Sequence, residues 1–292
     1  MDIFRTIRKL ASSPAPLIGL VIVVAFYGWS LVEGTLQLTG ILTNNSSLGW
    51  ILLQSNPFTP YPSNSLLPPS FAHIMGTDDL GRDILVRILY AAPTDALVST
   101  VVVGGGVLVG SLVGIPAGYF GGTTEEVNMR FTDLFLAFPA LILAVAIEAT
   151  FGRQLVFAIL ALVVVWWPSY ARVFRGEALR IKNLRFIDAA LLSGLSSRRI
   201  MTRHLIPSSL NTVLSYATID LGNSILVYSI LSFLGLGVPA PAPEWGAMTA
   251  SGLSYFPQWW WYSLLPGVVI TVVVMGAALL GDGLRDILSE GG

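Results

Sequence analysis

The chain of 292 residues contains no cysteine and only two histidines, and charged residues make up 11% of it. The missing cysteines exclude a disulfide framework, a thiolate metal site and a thiol nucleophile. The scarcity of charge excludes an ordinary soluble surface, which needs roughly a quarter or more of its residues charged. No G-x-x-x-x-G-K-[ST] loop occurs, so the chain cannot cradle the phosphates of ATP in the usual way. What is abundant is apolar: 54% of residues are hydrophobic and the mean hydropathy is +0.73. Such a chain belongs in a bilayer. Its net charge of −1 says nothing about partners there, because the position of each charge matters more than the sum.

A helix crosses the hydrocarbon core with about 20 apolar residues. Charge-free runs of that scale extend over 10–32, 96–124, 154–171 and 245–281, and a further run, 205–243, is broken only by Asp220. A sixth, shorter candidate lies between Asp133 and Glu148, and it spans only if both carboxylates sit near the interfaces. The sequence thus predicts an all-α membrane protein with six transmembrane helices. The first run is longer than the apolar part of a signal peptide and is followed by no convincing cleavage site, so a retained helix is expected.

Lys and Arg are held on the cytoplasmic side. Arg5, Arg8 and Lys9 precede the first helix, and Arg172, Arg175, Arg180, Lys182, Arg185, Arg198, Arg199 and Arg203 crowd the segment between the fourth and fifth. Both termini and that segment should be cytoplasmic. The 238–262 connection carries no Lys or Arg but holds Trp245, Trp259, Trp260 and Trp261, as expected of an outer face with an aromatic belt. The expected organisation is an N-terminus and first helix over 1–32, an external loop rich in Pro, Ser and Asn over 33–94, a five-helix core over 95–287, and a cytoplasmic tail over 288–292. On these signs His73 and His204 face opposite sides and cannot share a metal. Asn44 and Asn45 head overlapping N-x-Ser sequons, a pattern common by chance.

Ahead of the second helix stands His73-Ile-Met-Gly-Thr-Asp-Asp-Leu-Gly-Arg-Asp83, read as a helix start with Thr77 as N-cap and Asp78 and Asp79 near the positive helix end. Gly106, Gly110, Gly114 and Gly118 form one stripe that lets another backbone approach; Pro116 in the same helix invites a kink. Gly235-x-Gly237-x-x-Ala240 has the spacing of a dinucleotide loop, but it ends a membrane helix among Pro239 and Pro241.

Most informative is the basic segment 176–207. Leu184, Ile187 and Leu191 share a stripe while Arg185 and Asp188 face elsewhere, which predicts a short amphipathic helix stopping at Gly194. Ser196 can cap a second helix with Ile200, Met201, His204 and Leu205 on one face, up to Pro207. A glycine corner between two short helices makes a rigid knob. The series Asp188-Ala189-Ala190, three residues, Gly194, nine residues, then His204-Leu205-Ile206-Pro207 resembles the EAA loop of ABC importer permeases, most closely those of the peptide and nickel transporter family. Asp188 stands in the acidic slot usually held by Glu. The 73–83 segment, Leu231-Ser-Phe-Leu-Gly-Leu-Gly237 with Pro243-Glu-Trp-Gly246, and Leu280-Gly-Asp-Gly-Leu-Arg-Asp286 resemble further segments of that family in the same order.

The resemblance implies the type I ABC importer permease fold and a transport role without catalysis. Asp188, Ala189, Ala190, Leu191, Leu192, Gly194, His204 and Pro207 would form the knob that sits in a groove on an ATP-binding subunit. It also implies a second, similar permease, two ATP-binding subunits that hold ATP and Mg, an external solute-binding protein, and no cofactor or nucleic acid on this chain. Peptides are the leading substrate class, with oligosaccharides and then nickel as alternatives. Asp220, deep in a helix, costs on the order of 2.5–3.5 kcal/mol if ionised and unpaired, so it must face something polar. It lines the translocation pathway with Asn223 and Tyr216, or it makes a buried contact with a neighbouring helix. An ion-coupled carrier using Asp220 is the alternative class, but it gives no reason for the knob.

Overall fold

The computed structural model describes residues 9–10 and 13–289, the Ser289 side chain excepted. Arg5, Arg8 and residues 290–292 of the tail lie outside the described residues. Among the described residues the chain is helical, with one isolated bridge between Thr77 and Asp83. Helix α1 spans Pro14–Leu42, α2 Ile84–Phe120, α3 Gly122–Leu136, α4 Ala140–Phe151, α5 Leu155–Ile181, α6 Arg185–Leu192, α7 Ser197–Phe233, α8 Trp245–Leu253 and α9 Trp260–Ser289. Five of them, α1, α2, α5, α7 and α9, are long and apolar enough to cross a bilayer.

The short candidate between Asp133 and Glu148 is a bent pair. Helices α3 and α4 meet at 79° across a break of 137–139. Pro139 lacks the N–H and the conformational freedom to continue α3, and the 12 residues of α4 reach only about 18 Å. Only taken together with α3 do they have the length and apolar composition of a further span, bent in the middle.

The connection between α1 and α2 is shorter than the charges suggested. Glu33 lies inside α1 and Asp95 inside α2, which leaves 43–83 as the loop. Asp83, rather than Thr77, caps α2: its Oδ1 accepts from the Val86 N–H at 3.0 Å and its Oδ2 lies 2.8 Å from His73 Nδ1. Thr77 instead ties the loop together, donating to the Asn64 carbonyl at 2.5 Å and accepting from the Leu67 N–H at 2.8 Å. Asp78 pairs with Arg82 at 2.7 Å, with Arg87 at 3.7 Å.

Helices in lipid gain little from apolar burial and associate through close packing. The glycine stripe of α2 serves this directly. A Cβ on Gly110 would stand 2.8 Å from the Ala171 nitrogen, and one on Gly114 2.2 Å from the Ala171 carbonyl oxygen, so α2 and α5 touch backbone to backbone. Helix α2 runs without interruption through Pro93 and Pro116. Helix α9 packs on α1, α7 and α8.

The tryptophan belt is only partly a belt. Trp245 and Trp261 are buried, and their Nε1–H groups donate to the carbonyls of Ile88 at 3.0 Å and Thr77 at 3.4 Å. They fasten α8 to the first turns of α2 and α9 to the loop before it, while Trp260 remains exposed. Helix α8 itself had no signature in the charge pattern.

Candidate functional site

Two places carry the residues singled out in the sequence, and they are separate. The first is the α6 knob. Its corner closes by backbone geometry: Gly194 sits at φ 76°, its N–H donates to the Leu191 carbonyl, and the Leu195 N–H donates to the Ala190 carbonyl, at 3.0 and 3.1 Å. This double closure satisfies the last carbonyls of α6 with a residue in the left-handed region, where glycine carries no steric cost. Ser196 starts α7 with extended backbone, but its side chain makes no capping bond. The second short helix is not separate either. It continues through a π turn at Met201–Leu205 into the rest of α7, and that wider turn accommodates Pro207, whose ring would crowd the Arg203 carbonyl in a regular helix.

The expected stripe of Leu184, Ile187 and Leu191 is split. Ile187 alone is buried; Leu184, Leu191 and Leu192 are exposed, Leu192 to 90%. Ile187 packs with Ile200 and Leu205 against Phe174, Ala178 and Ile181 of α5. The knob is thus anchored to α5 and α7 by Ile187, with Leu195 packed on the same cluster and Ala190 half-buried, while Leu184, Phe186, Asp188, Ala189, Leu191 and Leu192 are turned outward. His204 is half-buried with its ring centroid 6.1 Å from that of Phe186. Lys182 donates to the Gly118 carbonyl at 2.7 Å, and Arg175 bonds Glu125 through Nε at 2.7 Å, so the ends of α2, α3 and α5 beside the knob are tied together.

The second place is the middle of α7. Asp220 is buried, its Oδ2 accepting from Trp166 Nε1 of α5 at 3.0 Å and its Oδ1 from Asn223 Nδ2 at 3.3 Å. Tyr216, one turn earlier, packs edge-on against Tyr170 at 5.2 Å. It also lines a cavity of about 490 Å³ with Asn211, Thr212, Ser215 and Ile219 of α7 and Arg285 and Leu288 of α9. The three residues therefore divide: Tyr216 faces open space, while Asp220 makes the interhelical contact with Trp166 and Asn223 braces Asp220 from its own helix.

The pattern of the family described as "Binding-protein-dependent transport system inner membrane component" matches residues 106–291. The chain belongs to that family. Its similar relatives include the probable D,D-dipeptide transport system permease protein DdpC of Escherichia coli, 40% identical over 76% of this chain and 75% of the relative. They also include the dipeptide permease DppC of Alkalihalophilus pseudofirmus, 36% identical over 96% and 87%, and the oligopeptide permease OppC of Bacillus subtilis, 34% identical over 78% and 76%. A chain of the MetNI methionine ABC transporter, in an inward-facing crystal form, shares the fold at TM-score 0.58 and 19% identity, over 70% of this chain and 97% of that one. The permease is a multi-pass inner-membrane protein of the ABC importer type.

Asp220 is not the only carboxylate deep in this permease. Glu33, Asp95, Glu148 and Glu244 are each 0% exposed, against 7% for Asp220. The sequence hid them because each bounds a charge-free run: Glu33 and Asp95 read as the ends of the external connection, Glu148 as a carboxylate near an interface, and Glu244 as part of the 238–262 connection. Trp166 gave no signal at all, since an indole in an apolar helix reads as packing. Among the described residues, no group of three or more His, Cys, Asp or Glu side chains is placed to hold a metal ion.

Proposed function

We propose that this permease is one of two membrane subunits of an ATP-driven importer that takes up di- or oligopeptides delivered by an external solute-binding protein. The observation that carries the reading is the α6 knob, a helix fixed from behind by Ile187 with exposed Leu191, Leu192 and Asp188 in front. A soluble groove on an ATP-binding subunit is a fitting partner for that face. Asp188, Ala189 and Ala190 let the knob seat closely, Gly194 sets its angle, and the π-turned stretch from His204 to Pro207 joins it to α7. When two ATP-binding subunits close on ATP and Mg, the knobs move toward each other, and the Ile187 anchor passes that motion to α5 and α7. The permease itself breaks no bond and holds no cofactor. Its knob and both termini lie in the cytoplasm, and the unit from α2 to α9 forms the moving core. Peptides are favoured as cargo because the relatives described above carry dipeptide and oligopeptide transport in their names.

The pathway at the second permease runs past Tyr216, with Asp220 and Asn223 behind it. Trp166 holds Asp220, so the carboxylate sets the angle between α5 and α7 as well as the polarity of the passage. The test is to tag the permease, extract it gently from its native membrane and identify by mass spectrometry what accompanies it. A second permease and P-loop ATPases are expected. Recovery of the chain alone, confirmed by crosslinking in the membrane, overturns the importer reading.

A further inference from the structure

Toward the end of the bundle that carries α6, helices α7 and α9 leave room between them. Further along they pack closely: a Cβ on Gly222 would stand 3.0 Å from the Val274 carbonyl oxygen, and one on Gly281 3.0 Å from the Ile219 nitrogen. The two helices run antiparallel, so the next turns to face each other hold Ser215, Thr212 and Asn211 on α7 and Arg285 and Leu288 on α9. There the cavity of about 490 Å³ opens, with Tyr216 and Ile219 at its inner end. Gly281, Arg285 and Leu288 recur at helical spacing on one face of α9, whereas Gly283 sits on another, against Pro16 of α1. Among the described residues that line the cavity Arg285 alone is charged, and no salt bridge among the described residues occupies it. The wall opposite is neutral and polar. Ser215 donates to the Asn211 carbonyl at 3.2 Å and Thr212 to Glu177 Oε1 at 3.1 Å, so both hydroxyls keep lone pairs free to accept. Glu177 is itself matched to Arg180 at 2.7 Å.

We propose that this cavity binds the cargo on its way out, and that Arg285 takes the terminal carboxylate of the peptide; the assignment rests on the importer reading above. Peptides of every sequence share a backbone that ends in a carboxylate, and a permease that accepts many of them has to hold what they share. The Arg285 guanidinium meets a carboxylate with two parallel N–H donors, a geometry that a lysine does not offer. The Asn211 amide and the Thr212 and Ser215 hydroxyls then bond the backbone, and Ile219 and Leu288 touch side chains without selecting a charge. The volume lies within the range of small-molecule sites. An inner-leaflet phospholipid would also bring an anion to Arg285, but its tails need a long apolar slot, and Ile219 and Leu288 are the apolar aliphatic residues of this lining.

Because the chain has no cysteine, Leu288→Cys places a single thiol of this chain on the cavity wall. The experiment measures how fast a maleimide modifies it in the nucleotide-free permease, purified with its partners, in the presence of trialanine, trialanine amide or a short-chain anionic phospholipid. Trialanine is expected to slow the labelling severalfold and its amide to leave it nearly unchanged. Arg285→Gln should abolish the protection and Arg285→Lys should restore part of it, while Phe256→Cys, at the far end of the bundle, labels at one rate throughout. Should Leu288→Cys not fold, Thr212→Cys reports from the opposite wall. Equal protection by acid and amide, protection that survives Arg285→Gln, protection by the phospholipid alone, or no protection at all overturns the site. Any of these with the ATP-binding subunits still co-purifying leaves the importer reading standing, whereas loss of those subunits overturns that reading and this site with it.

Discussion

At Gly114 one added methyl group would stand 2.2 Å from the Ala171 carbonyl oxygen, and neither backbone can withdraw without parting α2 from α5. Gly104, ten residues earlier in the same helix, has nothing within 4 Å of an added Cβ. Gly114→Ala is therefore expected to destabilise by about 1–3 kcal/mol, the usual cost of overpacking. Gly104→Ala should leave Tm unchanged, and thermal unfolding of the two variants side by side checks the contrast. Asp220→Asn keeps an oxygen for the Trp166 donor, so it should fold normally while slowing transport in proteoliposomes. Transport at the parental rate and specificity would reduce Asp220 to a packing contact. The glycine stripe and Asp220 were legible because each is an anomaly inside an apolar run. Asp95, Glu148 and Glu244 were not, because a carboxylate next to a run looks the same whether it ends at an interface or lies buried.

Helices show the same division between what a run of apolar residues reveals and what depends on packing. The five long helices follow from the absence of charge over about 20 residues. The bend between α3 and α4 and the short α8 do not: Pro139 ends α3 inside a run that no charge marks, and α8 is settled by its contacts with α7 and α9. The start of α2 is an instance: Thr77 and Asp83 are both good caps by residue type, and Asp83 takes the role because His73 and the Asn64 turn fix the loop before it. Asp83→Ala should cost about 1 kcal/mol through the lost cap, seen as a lower Tm with α2 frayed at its first turn by hydrogen exchange. Helix α6 offers the opposite kind of test. Leu192 is 90% exposed, so Leu192→Glu should leave Tm unaltered yet abolish co-purification of the ATP-binding subunits. Retention of those subunits would place their contact elsewhere.

For the whole molecule the first question is which end of the bundle faces the cytoplasm, and the composition of the chain makes it answerable. The chain has no cysteine, so a single introduced thiol is the only one a maleimide can find. Leu192 at the tip of the knob and Phe256 between α8 and α9 are exposed at 90% and 56%. They lie at opposite ends, because α7 runs from beside the knob to the turn that precedes α8. The Arg-rich segment around α6 and the absence of Lys and Arg over 238–262 put the knob inside by the distribution of positive charge. In spheroplasts, a membrane-impermeant maleimide should label Phe256→Cys directly and Leu192→Cys only after permeabilisation. The reverse pattern would set α6 on the outer side, where no ATP-binding subunit can reach it, and the proposed coupling would fail whatever the family. Labelling of Leu192→Cys in permeabilised cells should fall when the ATP-binding subunits are co-expressed, because the same face that reports topology is the one they would cover.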